Sequence, residues 1–307
     1  MTTVLQAIGA TPLVRLSRLA PATSADVFLK LEYFNPTGSY KDRMALAMIE
    51  AAEARGDLRP GMSVLECTGG STGSSLAFVC AAKGYRFLVI SSDAYAREKL
   101  DSMRAFGAEL MVEPSVDGQV TPDLWPRMMA RADALRADAR VYYTNQFHNR
   151  DAQAGYAGIG EEIASALPRV DAFCGMVGTA GMLMGVGQVL RRRDPDVRIV
   201  ALEPSTSAVL SGRPPGSHRV DGTGAGFVPP QFDRGIAGEV RALDEARGRA
   251  MAKRLAREEG IFAGTSTGMN VVAALEIAHE LGAGRTVVTV ACDSGLKYLA
   301  GDLFDKE

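Results

Sequence analysis

Lys41 closes the run Asn35-Pro36-Thr37-Gly38-Ser39-Tyr40-Lys41, directly ahead of Asp42 and Arg43. Pro36 and Gly38 force a turn after an apolar run ending near Glu32, and the residues from Asp42 onward carry an amphipathic helical pattern. The amine therefore belongs at a strand-turn-helix junction, where catalytic groups commonly reach a cleft. A lysine that is partly desolvated or held beside other cations loses pKa, and its free amine can form a Schiff base. The plainer alternative is a solvated lysine in a first helical turn. A cation at the positive end of a helix is unfavourable, so the position asks for another reason.

Three further clusters sit at similar junctions. Thr68-Gly69-Gly70-Ser71-Thr72-Gly73 combines backbone freedom with hydroxyls and N–H groups that can hold an anion, although a tight turn with a helix N-cap would look alike. Gly178-Thr179-Ala180-Gly181 follows an apolar run and opens a helix at Met182, a natural seat for a phosphate. It lacks the GxxxxGK[ST] spacing of a nucleotide loop. The chain has no GxGxxG either, and Gly222-Thr223-Gly224-Ala225-Gly226 is not followed by a helix, so a dinucleotide fingerprint is poorly supported. Ala291-Cys292-Asp293-Ser294-Gly295 ends the last apolar strand pattern; Ser294 could offer a hydroxyl at the sheet edge or simply cap a helix.

Positioning these clusters requires alternating strands and helices. Strands are expected at 27–31, 63–66, 87–90, 110–112, 172–177, 198–202 and 286–291, several of them rich in Val and Ile. Helices are expected at 42–55, 74–83, 94–106, 123–136, 154–166, 182–193, 244–259 and 268–281. Gly84, Gly107, Gly260 and Gly282 fall where left-handed helix ends are expected. This rhythm predicts βαβ units and a parallel sheet covered by helices, that is, an α/β protein. Residues 211–230, rich in Gly and Pro, should form a long loop, and a composition break near 144–151 hints at a domain change.

The bulk numbers exclude several classes. With 307 residues, 47% apolar and 23% charged, the chain reads as a globular protein with ample core. A net charge of -2 gives no electrostatic case for nucleic acid or anionic membrane as partner. Cys67, Cys80, Cys174 and Cys292 form no CxxC pair, and His148, His218 and His279 are scattered, so no metal-ligand spacing appears. Buried free thiols, no signal-peptide pattern and no apolar run of membrane-spanning length together predict a cytoplasmic address.

Taken together, the four clusters resemble the cysteine synthase / cystathionine β-synthase family of pyridoxal-phosphate enzymes, of the tryptophan-synthase-β-like fold type II. Residues 35–43 look like its NP[ST]GSxKDR signature, Gly224-Ala225-Gly226-Phe227 like its GAGF, and Glu258-Glu259-Gly260-Ile261-Phe262-Ala263-Gly264-Thr265-Ser266 like its EEGIFxGxS. The resemblance runs from Ile8-Gly9-Ala10-Thr11-Pro12-Leu13 to Asp293-Ser294-Gly295-Leu296-Lys297-Tyr298-Leu299.

The resemblance implies two three-layer α/β/α domains with mostly parallel sheets, residues 1–11 with 34–145 and residues 12–33 with 146–307, and pyridoxal 5'-phosphate in the cleft between them. Lys41 would carry the cofactor. Gly178, Thr179, Ala180, Gly181 and Met182 would cradle its phosphate, Ser71 would contact it, and Ser294 would meet the pyridine nitrogen without holding it protonated. Thr68, Gly69, Gly70, Ser71 and Thr72, with Gln146 and Gly224, would bind the substrate. The implied reaction is β-replacement on an activated L-serine through an α-aminoacrylate: O-acetyl-L-serine plus sulfide, or another thiol, giving L-cysteine, in a homodimer. The alternatives are a β-eliminating lyase resembling cysteine desulfhydrase or serine dehydratase, and a relative that has lost catalysis and serves as a partner protein.

Departures from the family pattern bear on substrate choice. TSGNT reads Thr68-Gly69-Gly70-Ser71-Thr72 here, GTGGT reads Gly178-Thr179-Ala180-Gly181-Met182, and Arg150-Asp151 brings charge after Gln146-Phe147.

Overall fold

The computed structural model describes residues 3–119 and 123–305; positions 1–2 and 306–307 of the expected domains lie outside the described residues. The chain divides into two compact units, Met1–Ile8 with Lys41–Gly155, and Gly9–Tyr40 with Tyr156–Glu307.

The first unit is built on four parallel strands in the order β5-β4-β3-β6. They are β3 (Ser63–Cys67), β4 (Arg86–Ser92), β5 (Glu109–Glu113) and β6 (Val141–Tyr143). Alternation across a pleat sends Leu65, Cys67, Leu88 and Ile90 to one face, where they pack on Leu124, Met128 and Ala132 of helix α4 (Leu124–Leu135). Helix α2 (Ser71–Lys83) packs on β3 and β4, with α1 (Lys41–Arg55) and α3 (Arg97–Ala105) against it. Because both faces are covered, the central strands carry apolar runs instead of alternating, with Glu66 on β3 the buried exception among their charged residues.

The second unit carries six strands in the order β1-β2-β10-β7-β8-β9. These are β1 (Leu13–Arg15), β2 (Asp26–Leu31), β7 (Ala172–Met176), β8 (Arg198–Pro204), β9 (Glu239–Leu243) and β10 (Thr286–Ala291). All neighbours are parallel except the edge pair β1 and β2. One sheet face buries Val27, Leu29, Cys174, Val200 and Val287 against α7 (Glu245–Arg254) and α8 (Thr265–Leu281). Helix α6 (Gly181–Arg193) packs on β7 and β8. Helix α5 (Asp151–Ala166) contains the boundary between the units.

The expected mostly parallel α/β fold is present. The expected helix over 244–259 is instead α7 followed by a wider π-helical turn, Leu255–Glu259. The edge strands β1, β6 and β9 were not expected. Residues 211–230 hold no helix or strand, as anticipated. Among the described residues no helix is long and apolar enough to cross a membrane.

Helices α7 and α8 approach with backbone against backbone. A Cβ at Gly268 would lie 2.0 Å from the Gly248 carbonyl oxygen and 2.8 Å from the Ala252 nitrogen, neither of which can rotate away. Gly268→Ala should therefore cost about 2 kcal/mol through overpacking. Urea unfolding should show a lowered midpoint at unchanged slope; an unaltered midpoint would show that the two helices can separate freely.

Candidate active site

A parallel sheet offers a crevice where neighbouring strands send their connections in opposite directions. In the first unit the chain winds from β3 outward to β5 and returns to β6, so the reversal lies between β3 and β6. The carboxyl ends there lead into Thr68–Thr72 and Thr144–Gln146, the two stretches expected to hold substrate. They are joined directly: the Thr72 hydroxyl donates to Gln146 Oε1 at 2.8 Å. Gly70 caps α2, and its N–H donates to Thr68 Oγ1 at 3.3 Å.

Beneath these loops lies a residue that pattern reading missed. Glu66 is fully buried on β3, accepting from the Cys67 N–H at 2.8 Å, the Thr144 hydroxyl at 2.6 Å and the Gln146 N–H at 3.1 Å. No arginine or lysine among the described residues pairs with it. Burial pushes its carboxyl up to about 7, and the three hydrogen bonds offset this only in part. Desolvation, and then the neighbouring Glu66, push the Cys67 thiol up to about 12, leaving it a poor nucleophile; all four cysteines are free and buried.

In the second unit the winding runs β7, β8, β9 and then back to β10, so the reversal lies between β7 and β10. The β7 end leads into Gly178–Gly181 and the β10 end into Cys292–Ser294. The first of these loops is packed to its limit, since a Cβ at Gly178 would sit 2.2 Å from the Gly222 carbonyl oxygen. Gly224 donates its N–H to the Val177 carbonyl at 3.1 Å, so the GAGF run braces this loop. His218, which no motif had singled out, fixes that brace: Nε2 lies 3.0 Å from the Gly224 carbonyl while Nδ1 accepts the Val220 N–H at 3.2 Å, which assigns the proton to Nε2. Ala180 adopts a left-handed conformation, φ 69°, unusual for a residue with a Cβ. The Met182 side chain lies against Gly175 of β7, so Met182 can offer this loop only its backbone.

Ser294 is held from both sides. Its N–H donates to the Gly38 carbonyl at 2.9 Å, Tyr40 donates its N–H to the Cys292 carbonyl at 3.0 Å, and Ala263 pairs with Ser294 on the other side. The signatures around Lys41 and around Phe262 thus meet on one short ladder. Ser294 Oγ accepts the Leu296 N–H at 3.2 Å, so the N-cap reading is correct, yet its own proton remains free to be donated. Tyr298 donates to Asp293 Oδ2 at 2.8 Å beside it. Lys41, next after Tyr40, is buried and is the first residue of α1.

The residues of each unit fit a phosphate-bearing aldehyde cofactor. The second unit supplies a closed backbone cup at the start of a 13-residue helix and a serine proton for a ring nitrogen. The first supplies a buried lysine amine. The sequence matches the family described as pyridoxal-phosphate dependent enzyme over residues 4–293. The chain belongs to that family. Its cofactor is pyridoxal phosphate and its type that of the cysteine synthases. It is 40% identical to cysteine synthase of Staphylococcus aureus (strain Mu50 / ATCC 700699) over 98% of this chain and 96% of the relative. It is also 40% identical to O-ureido-L-serine synthase of Streptomyces lavendulae, over 98% of this chain and 92% of that one. The crystal structure of cysteine synthase from Entamoeba histolytica superposes with a TM-score of 0.94 at 32% identity, covering 100% of this chain and 91% of the other.

Asp151 does not stand as unpaired charge after Gln146. Arg55 grips it with two bonds of 3.0 and 2.8 Å.

Glu66 makes a signed prediction. Its folded pKa lies above its ordinary value of 4.5, so the folded state binds the proton more tightly. That contribution is fully present below pH 4.5, is lost as pH rises through 7, and amounts to about 3 kcal/mol. Urea unfolding of wild type and Glu66→Gln at pH 5 and pH 8 reads it: the wild-type advantage should shrink by roughly that amount at the higher pH. A pH-independent difference between the two proteins would contradict the burial argument.

Proposed function

We propose that the protein replaces the β-substituent of an activated L-serine, with O-acetyl-L-serine as substrate and sulfide as nucleophile, giving L-cysteine. What carries this reading is the pairing of the Thr68–Thr72 and Thr144–Gln146 stretches at the first reversal point, a seat of backbone N–H groups and hydroxyls suited to an amino-acid carboxylate. The named activities of the relatives, cysteine synthase and O-ureido-L-serine synthase, support the same chemistry.

The roles follow from the residues. Thr68, Gly69, Gly70, Ser71, Thr72, Gln146 and Gly224 orient the substrate, with Ser71 also touching the cofactor. Gly178, Thr179, Ala180, Gly181 and Met182 hold the phosphate, the last two as backbone at the start of α6. Bound pyridoxal phosphate supplies an acceptor for negative charge developing at the substrate's Cα. Lys41 would hold the cofactor through its amine and would serve as the general base for the Cα proton. Ser294 donates to the pyridine nitrogen without protonating it, which favours loss of a β-leaving group over chemistry needing a fully delocalised carbanion.

Holoenzyme given O-acetyl-L-serine and sulfide should yield cysteine in preference to pyruvate. Pyruvate as the main product with sulfide present would make the protein a lyase. Lys41→Ala should lower turnover at least about a hundredfold and abolish the protein-bound cofactor absorbance; retention of both would remove Lys41 from its role.

A further inference from the structure

Gly69 carries no side chain because there is no room for one. A Cβ built on it would lie 2.1 Å from both Cγ and Cδ2 of Tyr95, and 2.6 Å from Cδ1. The proximal half of the ring thus covers the α-carbon, with the hydroxyl at the far end. Tyr95 is itself firmly placed. Its N–H donates to the Ser92 carbonyl at 3.2 Å, and Ala94 donates to Ser92 Oγ at 3.2 Å. Asp93 closes the turn by accepting the Ser115 N–H at 2.7 Å. The ring also packs on the core formed by Leu65, Cys67, Leu88 and Ile90.

The phenol hydroxyl makes no hydrogen bond to any described residue. In the adjoining loop Thr72 donates its own hydroxyl proton to Gln146 Oε1. We propose that Tyr95 is a substrate-contacting residue of this site, donating its phenolic proton to the amino-acid carboxylate in place of a side chain at position 69. Burial holds the phenol above its ordinary pKa, so it stays protonated and able to donate through the neutral range. This rests on reading residues 68–72 as the carboxylate loop.

Three proteins test it, each saturated with cofactor. Tyr95→Phe keeps the ring and removes the proton. It should raise KM about tenfold for O-acetyl-L-serine and for β-chloro-L-alanine alike, with kcat little changed. Gly69→Ser should lose substrate binding through the clash with the ring. Gly69→Ser combined with Tyr95→Ala should recover it, since a hydroxyl returns to the loop as space opens. An unchanged KM in Tyr95→Phe, or a change confined to one β-substituent, overturns the proposal, as does wild-type behaviour of Gly69→Ser. If wild type itself binds no serine derivative, by turnover or by cofactor absorbance, the reading of the loop fails instead.

Discussion

Winding direction is the constraint on which the rest of this molecule depends. The first sheet begins at interior β3, grows outward and returns to the other side of it; in the second, after the pair β1 and β2, the chain does the same from β7. Connections on either side of the starting strand must therefore diverge, and they do so at β3 with β6 and at β7 with β10. Strands buried on both faces leave few other places where backbone can stand open to a ligand without exposing core. Every segment expected to meet substrate or cofactor leaves one of these four carboxyl ends, or is tied by backbone hydrogen bonds to one that does. The Gly38–Tyr40 turn pairs with Cys292–Ser294, and Gly224 pairs with Val177.

Buried polar groups then hold these open loops in place. In the first unit one carboxylate, Glu66, does this without a cation, and its cost appears as a raised pKa. In the second unit the same problem is solved with compensation. Lys30 and Glu32 are buried together, with Thr11 donating to Glu32 at 2.6 Å, Asn35 to Glu32 at 2.9 Å, and Lys30 meeting Glu162 at 2.5 Å. Asn35 also accepts the Gly9 N–H at 2.8 Å, so the first residue of the lysine-bearing turn anchors the N-terminal Ile8–Leu13 stretch. A satisfied network of this kind specifies one arrangement more than it stabilises it. That suits a turn whose next helix begins with Lys41, the proposed cofactor lysine.

Most of this architecture was legible in the residues, because seven of the ten strands are apolar runs and all eight helices are periodic. The strands that escaped are short and lie at sheet edges, where alternation is too brief to register. Three helices begin a turn earlier than expected, whereas α3 begins a turn later, at Arg97 instead of 94. Helix α2 begins at Ser71 instead of 74, α5 at Asp151 instead of 154, and α8 at Thr265 instead of 268. In α2 and α8 the first turns are made of Ser, Thr and Gly, which have weak helix propensity and therefore read as loop. In α2 that first turn coincides with the loop expected to hold substrate. Glu66 could not be found this way, because its hydroxyl and amide partners Thr144 and Gln146 lie some eighty residues away, and Tyr95 meets Gly69 only through the fold.

The departures from the family pattern are best understood as pairs. Gly69 is glycine because Tyr95 occupies the space of a side chain, and Asp151 is answered by Arg55 across the same unit. Met182 lies over Gly175, where any larger residue would collide with it. Ala180 is the exception. Its left-handed backbone costs about 1 kcal/mol that glycine would avoid, and its methyl group is buried. A cost retained at the lip of the proposed phosphate cup is expected where the methyl narrows the loop's conformational freedom. Such a cup would exist before its ligand arrives, and less of the binding energy would go into ordering it.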